Sequence, residues 1–352
     1  MLDDIESMKK LDKSNMLKVL EEFPDQIIKT VGIVENSDLP NLYKIDDIII
    51  SGMGASAISG DIIQTLFRDK FEIPIYVNRY YDLPKWANKN TLLISQSYSG
   101  NTEETLSAFK HAYQKHCKII SISSGGKLEE YCLKRQIPLI KIPSGYQPRS
   151  AIAYNLFSTL LILKKVGLLQ KDIDSMIDES IDITKELNNK IKKEVPKENN
   201  IAKKIAEQIN NTIPQIYGWD IYMPIARRWS TQFNENAKMI SKYDEVPECN
   251  HNDIVGWSVD SEISKKFSCI IFRDESIESV YIKTRLKFMK KLYDDMASNS
   301  IEIHVRGKKR LSKMLYSMYL GDYISIYLAF LRKVDPTPVV AIEELKNVLS
   351  KI

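Results

Sequence analysis

Paired cysteines and clustered histidines are lacking from this chain of 352 residues. The four cysteines, Cys117, Cys132, Cys249 and Cys269, include no CxxC pair, and their spacing from the four histidines is not that of metal ligands. A disulfide framework and a metal centre are therefore both disfavoured, and we expect no cofactor.

The chain also lacks an uninterrupted apolar run that could span a membrane. The run 151–163 is too short, and the run 314–331 is interrupted by Gly321 and Asp322, so both are predicted to be buried helices. The opening residues, MLDDIESMKKLDK, have no apolar core and do not form a signal peptide. With 50 basic and 46 acidic residues and no basic stripe, neither nucleic acid nor a membrane is an expected partner. We expect a soluble cytoplasmic protein.

What the chain does contain is an alternation of short β-rich runs and helical runs, which is typical of parallel sheets with crossover helices. Its length suits two ordinary domains, and its 43% hydrophobic content suits a packed globular protein. We predict an α/β fold with two parallel sheets flanked by helices and a cleft between the halves. The predicted organisation is an N-terminal helical segment at 1–35, a first α/β domain at 36–165, a helical linker at 166–200 and a second α/β domain at 201–352. The predicted strands are 48–51, 73–77, 91–95, 118–123 and 138–142, then 212–217, 269–272 and 301–305.

A loop rich in hydroxyl groups, SQSYSGNTEET, follows the third predicted strand. The spacing of Asn101 and Glu104 is that of a capping box and predicts a helix that begins at Asn101. A helix start offers unpaired N–H groups to an anion, and Ser97, Ser99 and Thr102 add hydroxyl donors. The loop is a candidate phosphate site, and an ordinary capped turn is the alternative.

A second glycine-containing loop, SGMGAS, follows the first predicted strand. It lacks the Gly-Lys-Ser/Thr ending of a nucleotide P-loop. Gly52, Gly54 and Ala57 form a weak dinucleotide pattern, but no acidic strand end follows about 20 residues later to bind a ribose. An NAD-dependent dehydrogenase therefore remains only a weak alternative.

Three further side chains are candidates for chemistry. Glu235 lies near the end of a helix predicted over 221–241, between Asn234 and Asn236, which are poor helix-interior residues; such a local conflict is expected where function overrides propensity. A carboxylate near a cleft can act as a general base. His251 lies in a polar loop, and Arg149 in SGYQPRSA could stabilise an oxyanion. Each of them could instead be a solvated surface residue.

Together these segments resemble the bifunctional phosphoglucose/phosphomannose isomerase family, within the sugar isomerase (SIS) domain superfamily. The resemblance rests on SGMGASAISGD, SQSYSGNTEET, GGKL, PSGYQPRSA, TQFNENAKM, PECNHNDIVGW and LGDYISIYLAFLRKVDPTPV, in that order from about Ser51 to Lys346. NENAK, NHNDIVGW and DPTPV are the most specific of these motifs.

The resemblance implies two SIS domains, a homodimer and metal-free interconversion of glucose 6-phosphate, mannose 6-phosphate and fructose 6-phosphate. It implies that the histidine reaches the site from the neighbouring subunit. The implied catalytic residues are Glu235 as the base, Arg149 beside the cis-enediolate, and His251 and Lys346 in ring opening. The implied phosphate-binding residues are Gly54, Ala55, Ser56, Ser97, Ser99 and Thr102. Thr337 is a weaker candidate for a sugar hydroxyl contact.

One position departs from the family pattern, because Ala55 stands where the first loop usually has a second glycine. Its methyl group could crowd the backbone approach to a phosphate. A regulator that senses sugar phosphates is the other class to consider, but it should carry an added DNA-binding segment, and residues 1–35 are short and mixed in charge. An amidotransferase-type isomerase would need an ammonia-generating domain, for which the chain has no room.

Overall fold

The computed structural model describes residues 2–169, 172–259 and 261–349 and contains two parallel β-sheets. The strands are β1 Asp47–Ser51, β2 Ile75–Asn78, β3 Thr91–Gln96, β4 Lys118–Ser123, β5 Leu139–Lys141, β6 Ile213–Trp219, β7 Lys242–Val246, β8 Phe267–Arg273 and β9 Asn299–His304.

Helices surround both sheets. They are α1 Ile5–Leu11, α2 Met16–Glu21, α3 Phe23–Glu35, α4 Ala55–Phe67, α5 Glu103–Gln114, α6 Gly126–Arg135, α7 Ile152–Lys165, α8 Ile173–Ile191, α9 Ile201–Ile209, α10 Met223–Ala237, α11 Asp253–Trp257, α12 Ser261–Ser264, α13 Val280–Met296, α14 Arg310–Leu331 and α15 Val340–Leu349. Short 3-10 turns occur at Pro148–Ala151, Lys197–Asn199, Asp220–Tyr222 and Glu248–His251.

The first sheet has the strand order β2-β1-β3-β4-β5, and all its pairings are parallel. Its interior strand β1 carries three consecutive isoleucines, 48–50, each fully buried, as expected where helices cover both faces. The order reverses direction between β1 and β3, so the loops after these two strands open next to each other. Such a switch point is where open parallel sheets bind ligands.

The second sheet, β7-β6-β8-β9, repeats this order with one strand fewer. The predicted α/β class and the predicted duplication of sheets are thereby confirmed. β7 was not predicted: its sequence KYDEV is mostly charged because it is an edge strand exposed to solvent.

The 22-residue helix α14 forms the centre of the molecule and packs against α8, α9 and α10. It is the one helix in the described ranges that is long and apolar enough to cross a membrane, but 94% of the relevant window is buried inside the protein. The prediction of a buried core helix is confirmed. Asp322, at its middle, accepts from Arg228 of α10 at 3.0 and 2.8 Å, so the interruption noted in the sequence is a buried ion pair.

Candidate active site

The two candidate phosphate loops lie side by side at the switch point of the first sheet. The first connects β1 to α4, and the second connects β3 to α5. The N-cap residues are Gly54 and Thr102, and neither has a side chain that accepts a hydrogen bond from its helix. Two neighbouring helix starts thus keep N–H groups for an anion.

The capping box predicted at Asn101 is wrong, because α5 begins at Glu103. The side chain of Asn101 is used elsewhere: its Oδ1 accepts from the backbone N–H of Lys127 at 3.1 Å, and its Nδ2 donates to Ser99 O at 3.2 Å. The Asn101 side chain therefore contacts the loop before α6 instead of capping α5. The start of α5 is left without a side-chain cap, so its N–H groups remain available to an anion.

The predicted hydroxyl groups are ordered by their own contacts. Ser97 Oγ and Thr102 Oγ1 lie 2.8 Å apart at the start of α5. Ser56 Oγ accepts from Asn155 Nδ2 of α7 at 3.3 Å, while Ser99 is exposed at the loop tip. Ser97 and Ser56 are buried, so these two hydroxyl groups are held in place rather than freely solvated.

Gly100 and Gly126 allow the serine loop after β3 to pack closely against the loop that precedes α6. Both have positive φ, +70° and +72°. A Cβ on Gly100 would lie 1.7 Å from Gly125 O, and a Cβ on Gly126 would lie 2.4 Å from Ser99 O. No side chain fits at either place. The loop shape therefore depends on these glycines, which sequence reasoning did not single out.

The first loop needs its unusual backbone at Gly54, where φ is +54°. Ala55 is the first residue of α4, has ordinary helical backbone and is partly exposed. The alanine that departs from the family pattern thus occupies a position with no need for glycine conformation. β2, the neighbouring strand, ends at Asn78, an amide where a dinucleotide site would place an acid.

Arg149 is nearly completely buried, at 3% exposure, in the 3-10 turn before α7. Its Nε donates to Asn236 Oδ1 at 2.7 Å, and its Nη2 donates to Pro336 O and Thr337 O at 2.8 and 2.7 Å. Nη1 has only a long contact of 3.4 Å with Gln147. Nη1 is therefore the nitrogen with donors left for a ligand. Burial lowers the pKa of Arg149 from its ordinary value, and Glu235 opposes that shift.

Glu235 lies in the last turn of α10, and its Oε2 is 3.6 Å from Arg149 Nη1. Its side chain keeps 28% exposure, so it is open to a ligand as well as to the arginine. The flanking asparagines explain the local conflict in the sequence. Asn236 is buried between Arg149 and Ser325, and Asn234 accepts from Ser241 N beyond the helix end.

A second arginine supports this arrangement. Arg228, one side of the buried pair with Asp322, also donates from Nη2 to the carbonyl of Arg149 at 3.0 Å. The sequence analysis predicted neither this role of Arg228 nor the role of Asn236 as a hydrogen-bond acceptor for the Arg149 side chain. Both residues lie on α10, which is rich in polar residues, so polarity alone did not distinguish them from their neighbours.

His251 and Lys346 lie on exposed parts of the chain. His251 ends the 3-10 turn after β7, and Lys346 lies on α15, a helix with no buried residue among those described. No contact joins either side chain to Glu235 or Arg149 within the described part of this single chain. Thr337 lies closer to the site, because its carbonyl accepts a hydrogen bond from Arg149. Its buried Oγ1 has no partner within the described structure.

The four cysteines are buried as free thiols. Within residues 2–169, 172–259 and 261–349, no three His, Cys, Asp or Glu residues converge as a metal-binding group.

Comparison with known proteins adds to this geometry. Residues 198–349 match the family model of the bacterial phospho-glucose isomerase C-terminal SIS domain. The bifunctional phosphoglucose/phosphomannose isomerase of Caldicellulosiruptor bescii is 39% identical, over 96% of this chain and 99% of its own. That of Thermoplasma volcanium is 37% identical, over 93% and 99%. A solved glucose-6-phosphate isomerase like protein from Thermus thermophilus has a TM-score of 0.66 at 17% identity, covering 96% of this chain and 98% of that one.

Proposed function

Because the chain belongs to the bifunctional phosphoglucose/phosphomannose isomerase family, we propose that it interconverts glucose 6-phosphate and mannose 6-phosphate with fructose 6-phosphate at the site formed by Arg149 and Glu235. The observation that carries the assignment of residues is the 3.6 Å separation of Glu235 Oε2 and Arg149 Nη1. A carboxylate that moves a proton and a cation that faces the resulting oxyanion are what an aldose-ketose isomerisation needs.

The phosphate anchors the substrate away from the reacting carbons. The phosphate is held by the N–H groups at the starts of α4 and α5 and by the hydroxyl groups of Ser56, Ser97, Ser99 and Thr102. Gly54 and Ala55 form the turn of the first loop. Binding energy at this remote group positions C1 and C2 at the carboxylate.

Glu235 takes the proton from C2 of the open-chain aldose and returns it to C1. The cis-enediolate that forms in between places negative charge on its oxygens, and Arg149 Nη1 is the donor that faces it. Asn236, Pro336 and Thr337 fix the rest of the guanidinium, so it needs no reorganisation when the charge appears. The reaction then requires no metal. Thr337 Oγ1 donates to a sugar hydroxyl.

His251 and Lys346 assist opening of the sugar ring, and His251 does so in the site of a second subunit. Its exposed position supports this, as do exposed apolar residues that follow it, Val255 at 65% and Val259 at 83%. We propose a homodimer in which each site combines residues of two chains. We also propose that the protein is located in the cytoplasm, where phosphorylated hexoses are found.

A coupled assay tests the assignment directly. Purified protein should convert fructose 6-phosphate into both glucose 6-phosphate and mannose 6-phosphate, at the same rate with and without EDTA. The comparisons give no support to the alternative of a non-catalytic sugar-phosphate-binding regulator. That alternative predicts binding of fructose 6-phosphate without turnover, and activity lost in EDTA and restored by zinc would show the metal-free chemistry to be wrong.

A further inference from the structure

Lys238 follows α10, three residues after Glu235, in a conformation that lysine rarely adopts. Its φ of 53° and ψ of 42° are left-handed, a conformation usually taken by glycine or asparagine at helix ends. The residue is accessible to solvent, but its amine is turned back onto the protein. This backbone conformation costs a lysine on the order of 1 kcal/mol, a cost that glycine would not have.

The amine of Lys238 reaches three backbone carbonyls. It donates to Glu235 O at 2.7 Å, to Asn236 O at 3.4 Å and to Pro336 O at 3.0 Å. A lysine ammonium has three donors, so none remains for a substrate. The first two contacts would be ordinary for a lysine at a helix end.

The third contact goes beyond helix capping. Pro336 lies 98 residues further along the chain, and its carbonyl also accepts from Arg149 Nη2 at 2.8 Å. One carbonyl thus joins the arginine to the lysine that follows the base. Building on the proposed function, we propose that Lys238 is a positioning residue for the isomerisation: its amine ties the main chain of Glu235 to the turn that holds Arg149.

The charges around the amine make this tie sensitive to pH. Within the described structure, three charged groups face the amine: Arg149 from the turn before α7, Glu235 from α10 and Asp335 from the turn after α14. A fourth, Arg332, donates a hydrogen bond to the Lys238 carbonyl. Burial of the amine and the nearby Arg149 lower the pKa of Lys238 to about 8 from the ordinary 10.5. A neutral amine has two donors instead of three, so at least one carbonyl loses its partner above that pH.

Activity and stability should therefore change in opposite directions. Above about pH 8 the folded state binds fewer protons at Lys238 than the unfolded state does, so this residue makes the protein more stable as pH rises towards 10.5. The turnover number should fall in the same interval. A purely structural lysine would not lower turnover while stability rises.

The experiment measures kcat, KM and thermal unfolding of wild type, Lys238→Met, Lys238→Arg and Lys333→Met from about pH 6 to about pH 9.5. Lys333 is the matched control, because it is an exposed lysine with the same left-handed conformation after α14. Lys238→Met should lower kcat about tenfold at pH 7 with KM within about twofold. Lys238→Arg should keep most activity and lose the alkaline fall, and Lys333→Met should behave as wild type.

A wild-type kcat in Lys238→Met, or loss of stability alone, would overturn the inference. If Lys238→Met does not fold, Lys238→Arg decides, since an alkaline fall identical to that of wild type would assign the titration to another group. An inactive wild-type protein would instead contradict the proposed function, so the two failures are distinguishable.

Discussion

At the scale of single residues, the site depends on how few donors Arg149 has left over. Its Nε and Nη2 are committed to one amide and two carbonyls, and only Nη1 faces Glu235. The carboxylate beside it is partly open to solvent. In the proposed mechanism, phosphate anchoring and proton transfer involve different residues, so substitutions should affect substrate binding and turnover separately.

Glu235→Gln should lower kcat by roughly a hundredfold or more, because the amide cannot take the C2 proton. Binding of a phosphorylated inhibitor should change little, since the phosphate loops are intact. Ser97→Ala with Thr102→Ala should do the reverse and mainly weaken substrate and inhibitor binding. Steady-state kinetics and calorimetry measure both effects, with exposed Glu130→Gln as the control. Near wild-type turnover in Glu235→Gln would place the base elsewhere.

Asn236→Ala should lower both activity and stability, because it leaves the buried Nε of Arg149 without an acceptor. We expect a loss of about 1–3 kcal/mol in the free energy of unfolding and about tenfold in kcat. Asn234→Ala is the matched control two residues earlier. It removes one contact with Ser241 N and should cost at most about 1 kcal/mol, with kcat unchanged. Denaturant unfolding and the coupled assay check the pair, and equal effects on kcat would contradict the role of Asn236.

At the scale of elements, the proposed phosphate site consists of two strand-to-helix connections at the switch point of the first sheet. Neither helix start has a side-chain cap from its N-cap residue, and the serine loop is interlocked with the loop that precedes α6. In the proposed site, backbone N–H groups would bind the anion together with the hydroxyl groups, and the positions of these N–H groups depend on loop shape rather than on one side chain.

Gly100→Ala should damage that loop severely, because the added methyl would overlap Gly125 O and the backbone has positive φ. The expected cost is on the order of 3 kcal/mol or more, together with weaker phosphate binding. Gly32→Ala, within α3 where nothing lies within 4 Å, should instead stabilise the protein by about 0.5–1 kcal/mol. Thermal unfolding compares the two variants, and a harmless Gly100→Ala would mean that the loop tolerates another shape.

At the scale of the whole molecule, a single chain brings Arg149 and Glu235 together but leaves His251 on the surface. Exposed apolar residues follow His251, and α15, which carries Lys346, has an exposed apolar side at Leu345 and Val348. In the homodimer that we propose, a second copy of the chain covers these surfaces and completes the site.

Mixed dimers test the shared site. Glu235→Gln and His251→Ala chains that are unfolded and refolded together should form half mixed dimers, each with one of its two sites intact. About a quarter of wild-type activity should return. The mass of the mixed dimer is confirmed separately. Activity no higher than that of the separate mutants would place both residues of each site in one subunit.

The α/β class, the two parallel sheets and the family could all be predicted from the sequence, because they depend on local periodicity and on motifs contiguous in the chain. The two loops proposed to bind phosphate were found in the sequence for the same reason. The other contacts of the site could not be predicted, because they join residues that are far apart in the chain. The acceptors of Arg149 Nε and Nη2 lie 87 to 188 residues away in sequence, and these contacts follow from how α7, α10 and the turn after α14 pack. β7 was not predicted because an exposed edge strand needs no apolar pattern. The predicted cap at Asn101 was wrong because the Asn101 side chain contacts a neighbouring loop instead.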